Sequence, residues 1–167
     1  MSIGKCQFES KGAMSEALQQ FLRDYGDGLP ESSIAHSTAL ANIDRWHAVC
    51  DSERPSDVQA AVYWEPSDWY LCTMKNLATA KEARGQGLGS QVVQAALADA
   101  LAAKTPEGYD KCLVLAADIT RGNTPSEKIF VKSGFEPVNT FCYAEGAEPA
   151  RVLHWVRVPA KDGKCGA

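Results

Sequence analysis

One segment narrows the choice of fold more than any other. Residues 76–93, NLATAKEARGQGLGSQVV, pass from an apolar run into a helix-like pattern through Gly85, Gly87 and Gly89. An ordinary strand-to-helix connection needs one or two glycines. Glycine inside a helix costs roughly 1 kcal/mol relative to alanine, so three at alternate positions across a helix entry imply a use for the missing side chains. Between strand and helix, such a turn lets backbone N–H groups converge on an anion, and the helix dipole adds partial positive charge. The segment therefore reads as a phosphate cradle in an α/β fold. The P-loop pattern GxxxxGK[ST] fails because no lysine follows the glycines. The dinucleotide pattern GxGxxG fits Gly85 and Gly87 but needs glycine or alanine where Ser90 stands, and Asp110 precedes an apolar run instead of ending it.

The rest of the chain supplies the elements around that turn. Ile3 to Glu9 reads as a first strand. Met14, Ala17, Leu18, Phe21, Leu22 and Tyr25 fall at helical spacing over Ala13 to Tyr25, with Gly26 expected as a left-handed C-cap. Ser32 or Ser33 is expected to cap a weaker helix that includes Ile34, Leu40 and Ile43. Arg45 to Cys50, Val58 to Trp64 and Trp69 to Thr79 form an antiparallel meander separated by SERPSD and EPSD. After the glycines, Val92, Val93, Ala96, Leu97, Ala100 and Leu101 make one apolar helix stripe, and LVLAAD suits a strand buried on both faces. In TPSEKIFVKSGF, Thr124 as N-cap, Pro125 at the first helical position and Glu127 form a capping box, with Gly134 as C-cap. Strands around Val138 to Tyr143 and Val152 to Val158 complete a single domain over residues 1–160, followed by a frayed tail, 161–167.

The pattern that does match the turn is R-x-x-G-x-G, spelled by Arg84, Gly85, Gln86, Gly87, Leu88 and Gly89. A second signature follows downstream: an asparagine, a small residue three later, an aromatic seven later and Gly-Phe at eleven and twelve, satisfied by Asn123, Ser126, Phe130, Gly134 and Phe135. With these residues the chain resembles the GNAT superfamily of N-acetyltransferases, and the order of elements agrees over nearly its whole length. The resemblance implies an α/β (α+β) fold, a mixed and mostly antiparallel sheet of about seven strands with about four helices. It implies acetyl-CoA as cosubstrate, with the pantetheine arm against the main chain of Leu77, Ala78 and Thr79. The diphosphate would lie on the amides of Arg84, Gly85, Gln86, Gly87, Leu88, Gly89 and Ser90; Asn123 would hydrogen-bond the pantetheine, and Phe130 would lie beside it.

The reaction so implied is direct transfer of the acetyl group from thioester to amine within a ternary complex, driven largely by proximity, with an oxyanion resting on a main-chain N–H near Leu77 to Thr79. Similar proteins often carry a tyrosine seven residues after the asparagine to protonate the leaving thiolate. Here Phe130 has no proton to give, and water or another hydroxyl, such as Tyr143, is the expected substitute. Candidates for the general base are Asp118, His154, Glu145 and His47. The acceptor is a small-molecule amine or a protein or peptide amine. A non-catalytic acyl-CoA-binding or sensing domain is the competing class, and the glycines alone keep a dinucleotide-dependent oxidoreductase in view. Trp46, Tyr63, Trp64, Trp69, Tyr70 and Trp155 divide between packing and an acceptor pocket.

Composition excludes other classes. With 17 basic against 21 acidic residues, net charge −4 and no basic run, nucleic acid is not the expected partner. The N-terminal MSIGKCQFES has no apolar signal core, and Asp99 interrupts the Ala-rich stretch, so no membrane partner and a cytoplasmic location are expected. Cys6, Cys50, Cys72, Cys112, Cys142 and Cys165 are scattered without metal-ligand spacing; they read as reduced thiols, with no metal site. Dimers are common among similar proteins, which leaves a homodimer open.

Overall fold

The structure, a computed structural model, describes residues 3–68, 71–102, 114–120, 122–143 and 150–157. The described elements run in the order β1 (Ile3–Lys5), α1 (Lys11–Tyr25), α2 (Glu31–Thr38), β2 (Trp46–Asp51), β3 (Val58–Asp68), β4 (Leu71–Thr79), α3 (Leu88–Ala102), β5 (Val114–Thr120), α4 (Thr124–Lys132), β6 (Glu136–Tyr143) and β7 (Ala150–Arg157). Short 3-10 turns occupy Ile43–Arg45 and Lys81–Ala83. The strand order is β1-β2-β3-β4-β5-β7-β6. Of the ladders whose register is described, only β4–β5 is parallel. This is the mixed, mostly antiparallel α/β fold expected from the sequence.

The chain divides into two compact units, Met1–Tyr63 with Asn76–Ala96, and Trp64–Lys75 with Leu97–Ala167. In the first, α1 begins at Ser10, whose Oγ accepts from the Ala13 N–H at 3.1 Å. The helix buries Leu18, Phe21 and Leu22, as its spacing dictates. Trp46 and Tyr63 lie opposite each other on β2 and β3, with ring centroids 5.5 Å apart. The Trp46 indole N–H donates to the Ser37 carbonyl at 2.8 Å, which satisfies a polar group the core would otherwise strand. Both rings are therefore core residues.

In the second unit, β5 buries Leu115, Ala117 and Ile119 on one face, at 2% exposure or less, and Ala116 on the other at 7%, as expected of LVLAAD. It pairs in parallel with β4 from Leu71↔Val114 to Met74↔Ala117, and antiparallel with β7. Phe130 and Phe135 meet edge to face, centroids 5.0 Å apart, at the end of α4.

Several local expectations are corrected. Gly26 is not left-handed: its φ is −85°, and the left-handed residues are Asp27 and Gly28. Glycine is needed at 26 for space, because a Cβ there would lie 2.4 Å from the Leu22 carbonyl oxygen. The second helix starts behind Pro30 with no side-chain cap and ends at Thr38, leaving Leu40 60% exposed. The cap of α4 is Asn123 in place of Thr124; its side chain accepts from the Ser126 N–H at 3.4 Å, and Glu127 accepts from the Gly122 N–H at 3.3 Å. Gly134, at φ +86°, follows the Ser133 C-cap. The first strand stops at Lys5, and Leu101, placed in the buried stripe of α3, is 43% exposed.

The cysteines are not all thiols. Cys6 and Cys50 form a disulfide, because the β1–β2 register, Gly4↔Cys50 and Lys5↔Val49, carries residue 6 alongside β2. No local spacing announces a pair 44 residues apart. Trp69, Tyr70, Asp110, Cys112, Glu145 and the tail 161–167 lie outside the described residues.

A closed loop of this size contributes about 2–4 kcal/mol. Digestion without reductant is expected to release a Cys6–Cys50 linked peptide, and reduction to lower the unfolding free energy by about that amount. Recovery of both cysteines as separately alkylated peptides without reduction would refute the pairing.

Candidate functional site

Unit 1 contains a strand end, a bend and a glycine turn in direct succession. β4 is not extended throughout, for Asn76 sits at φ +54° while only 9% exposed. Asparagine is one of the few residues besides glycine that tolerate this region. Its side chain is held by α2. Ser33 Oγ donates to Asn76 Oδ1 at 3.0 Å, and Asn76 Nδ2 donates to Ser37 Oγ at 2.9 Å and to the Ser33 carbonyl at 3.4 Å. Ser37 Oγ passes its own proton to the Ile34 carbonyl at 3.2 Å. Leu77, Ala78 and Thr79 follow this bend, with Ala78 buried and its neighbours half-buried.

The chain then makes its 3-10 turn and reaches Arg84. The Arg84 Nε donates to the Thr79 carbonyl at 3.4 Å, and its Nη2 lies 3.8 Å from Asp27 Oδ2. Gly85 and Gly87 both occupy the left-handed region, at φ +80° and +78°, which explains why side-chain-bearing residues are absent there. A Cβ built at either meets no atom within 4 Å, so the space beside this backbone is open. Leu88 begins α3, and its first turn holds no acidic residue. The orphan N–H groups and positive dipole end of the helix are thus not neutralised by a neighbouring carboxylate on that turn. Gly89 and Ser90 lie within the same turn, and Gln86 Nε2 donates to the Glu82 carbonyl at 3.4 Å. Tyr25, at the end of α1, faces Glu82, whose negative charge holds the phenol above its ordinary pKa.

Residues 77–79 and 84–90 are therefore gathered in unit 1. Apart from His47, the remaining described candidates belong to unit 2. Asn123 is exposed at the head of α4 and spends its side-chain oxygen on capping. Phe130 is 3% exposed against Phe135. Asp118 on β5 stands directly opposite His154 on β7, and His154 opposite Asn139 on β6. Tyr143 pairs with Ala150 at the far end of the β6–β7 ladder, separated along it from His154. His47 lies on β2 opposite Val62, in unit 1. Among the described residues no cluster of His, Cys, Asp and Glu has the arrangement of a metal site.

Sequence reasoning passed over Asn76, Ser33 and Ser37. One signal was there: an asparagine inside an apolar strand run is disfavoured as strand and favoured as a left-handed bend. Asn76→Ala is expected to lower stability by about 2–3 kcal/mol, combining left-handed strain with the loss of the α2 hydrogen bonds. Asn76→Gly should recover the strain part and only that. Denaturant unfolding of both variants measures this, and equal losses would show that backbone conformation is not at issue.

Solved structures with the same fold extend the reading. The ribosomal-protein-alanine N-acetyltransferase from Brucella melitensis is 16% identical, with a TM-score of 0.66 over 95% of this chain and 100% of that one. NAA60 of Arabidopsis thaliana, solved with a bisubstrate analogue, is 11% identical with a TM-score of 0.69, covering 94% of this chain and 97% of the other. A chain of the NatC complex bound to Gag peptide and CoA is 13% identical with a TM-score of 0.72, covering 96% and 100%. At such identities the likeness concerns the fold. No curated protein sequence matches the chain. The model of the acetyltransferase (GNAT) domain family matches residues 45–137, more than half the chain, a span that includes the Asn76 bend, the glycine turn and α4. The chain belongs to the GNAT acetyltransferase domain family.

Proposed function

We propose that the protein is an acetyl-CoA-dependent N-acetyltransferase that moves an acetyl group directly to an amine. The observation that carries the reading is the pair of left-handed glycines, Gly85 and Gly87, with open space beside them and an unneutralised helix start behind them. A diphosphate fits this donor set: it accepts N–H bonds from residues 84–90 and pairs with the Arg84 guanidinium. Acetyl-CoA when bound supplies the activated acyl group.

The protein's own residues then bind and orient. The main chain of Leu77, Ala78 and Thr79 takes the pantetheine arm, and one of its N–H groups stabilises negative charge on the acetyl oxygen. Asn123 offers its side-chain amide to the same arm, since capping employs only the oxygen. Phe130 contributes an apolar edge and no proton. We assign removal of the amine proton to Asp118 or His154, which occupy opposed register positions on β5 and β7. Tyr143 is the candidate proton donor to the thiolate, whose ordinary pKa of about 8.5 makes it a tolerable leaving group without one. On this reading residues 1–160 form one acetyltransferase domain.

A protein or peptide amine is the favoured acceptor, because the solved relatives include a ribosomal-protein-alanine N-acetyltransferase and a complex bound to a peptide and CoA. Among the described residues no helix is long and apolar enough to cross a membrane. We place the protein in the cytoplasm. The second reading, an acyl-CoA-binding or sensing domain without turnover, is favoured by Phe130 and by the lack of a carboxylate on β4.

Incubation with acetyl-CoA and a panel of amines and peptides, following thiol release beside binding, is expected to show turnover. Binding without thiol release would favour the second reading, and indifference to CoA would defeat both. Gly87→Val is expected to lose CoA binding while circular dichroism remains that of a folded protein. A β-branched residue at φ +78° both strains the turn and fills the cradle, so unchanged affinity would contradict the phosphate site.

A further inference from the structure

Two polar pairs join the turn after α1 to the entrance of the glycine segment. Tyr25 faces Glu82, and Asp27 faces Arg84. Both pairs lie within unit 1. Arg84 is already aimed by its bond to the Thr79 carbonyl, so its guanidinium stands at the glycine turn with a protein carboxylate as its anionic neighbour. That carboxylate is held on a turn where Asp27 itself is left-handed, at φ +29°, beside Gly28 at φ +78°.

We propose that Asp27 is an internal anion that occupies Arg84 until a diphosphate displaces it, so that loading the glycine turn with coenzyme releases the turn after α1. This rests on the coenzyme reading above. The pair is built to be broken: the side chains are 55% and 86% exposed, and a solvated ion pair at 3.8 Å is weak. A diphosphate carries more negative charge than a carboxylate, binds guanidinium in a forked geometry, and also receives the N–H groups that Asp27 does not reach. Its charge also repels Asp27. Asp27 thereby sets the affinity of the cradle without touching the ligand. It is a positioning residue that acts through Arg84.

Titration of coenzyme A into the full chain tests this at low and at high ionic strength, with wild type, Asp27→Asn, Arg84→Ala and the double variant. Asp27→Asn is expected to tighten CoA binding about two- to five-fold at low salt, with the gain shrinking as salt screens the charges. In the Arg84→Ala background the gain should vanish. A gain of equal size without Arg84, no gain, or a loss would each overturn the proposal. Hydrogen exchange supplies a second readout that a change of net charge alone would not move. In wild type, saturating CoA should speed exchange at the Gly26 and Leu29 amides, which bond the Leu22 and Gly26 carbonyls at 2.8 and 3.1 Å. Unchanged or slowed exchange would refute the release. If wild type takes up no CoA, the coenzyme reading falls with this one; if it binds CoA and Asp27→Asn does not tighten it, only the present proposal falls.

Discussion

A left-handed asparagine inside a strand is a costly conformation, and much of unit 1 serves to hold it. The cost of the backbone at Asn76 is met by three hydrogen bonds to α2, each worth about 0.5–1.5 kcal/mol net once the bonds given up to water are counted. The second helix is in turn fixed to its surroundings: Ser15 of α1 donates to the Thr38 carbonyl at 2.7 Å, and Trp46 of β2 donates to the Ser37 carbonyl. The direction in which β4 delivers Leu77 to Thr79 is therefore set by helix packing, not by strand pairing alone.

The glycine turn continues the same logic. Past Thr79 the chain enters α3 through two left-handed residues, Gly85 and Gly87, with Gln86 between them. Arg84 connects the two features, since its Nε bonds the last carbonyl of β4. Bend, strand end and glycine turn thus form one continuous stretch of constrained backbone.

What was legible in the sequence follows the range of each physical demand. The glycine turn and the head of α4 were readable because their chemistry is local: a left-handed residue or a capping oxygen must sit within a few positions of the group it serves. Even so, the cap fell one residue early, since Asn123 and Thr124 are equally competent and only the observed bond to the Ser126 N–H decides between them. Asn76 was missed because its partners lie 43 and 39 residues earlier. Gly26 was misread for the opposite reason, its requirement being a steric one from Leu22 and Leu29 rather than a backbone sign. The opposition of Asp118 and His154 is a matter of sheet register, which spacing along the chain does not encode.

The Cys6–Cys50 link has a consequence for self-association. β1 is only three residues long and forms the rim of the sheet beside β2, so on its own it offers little to keep it in place. When it is tethered, the hydrogen-bonding edge of Trp46–Asp51 stays covered; when it comes away, an apolar strand presents unpaired amides to whatever chain is nearby. With the sulfurs joined, that edge is closed by a covalent tie as well as by the short ladder from Ile3↔Asp51 to Lys5↔Val49.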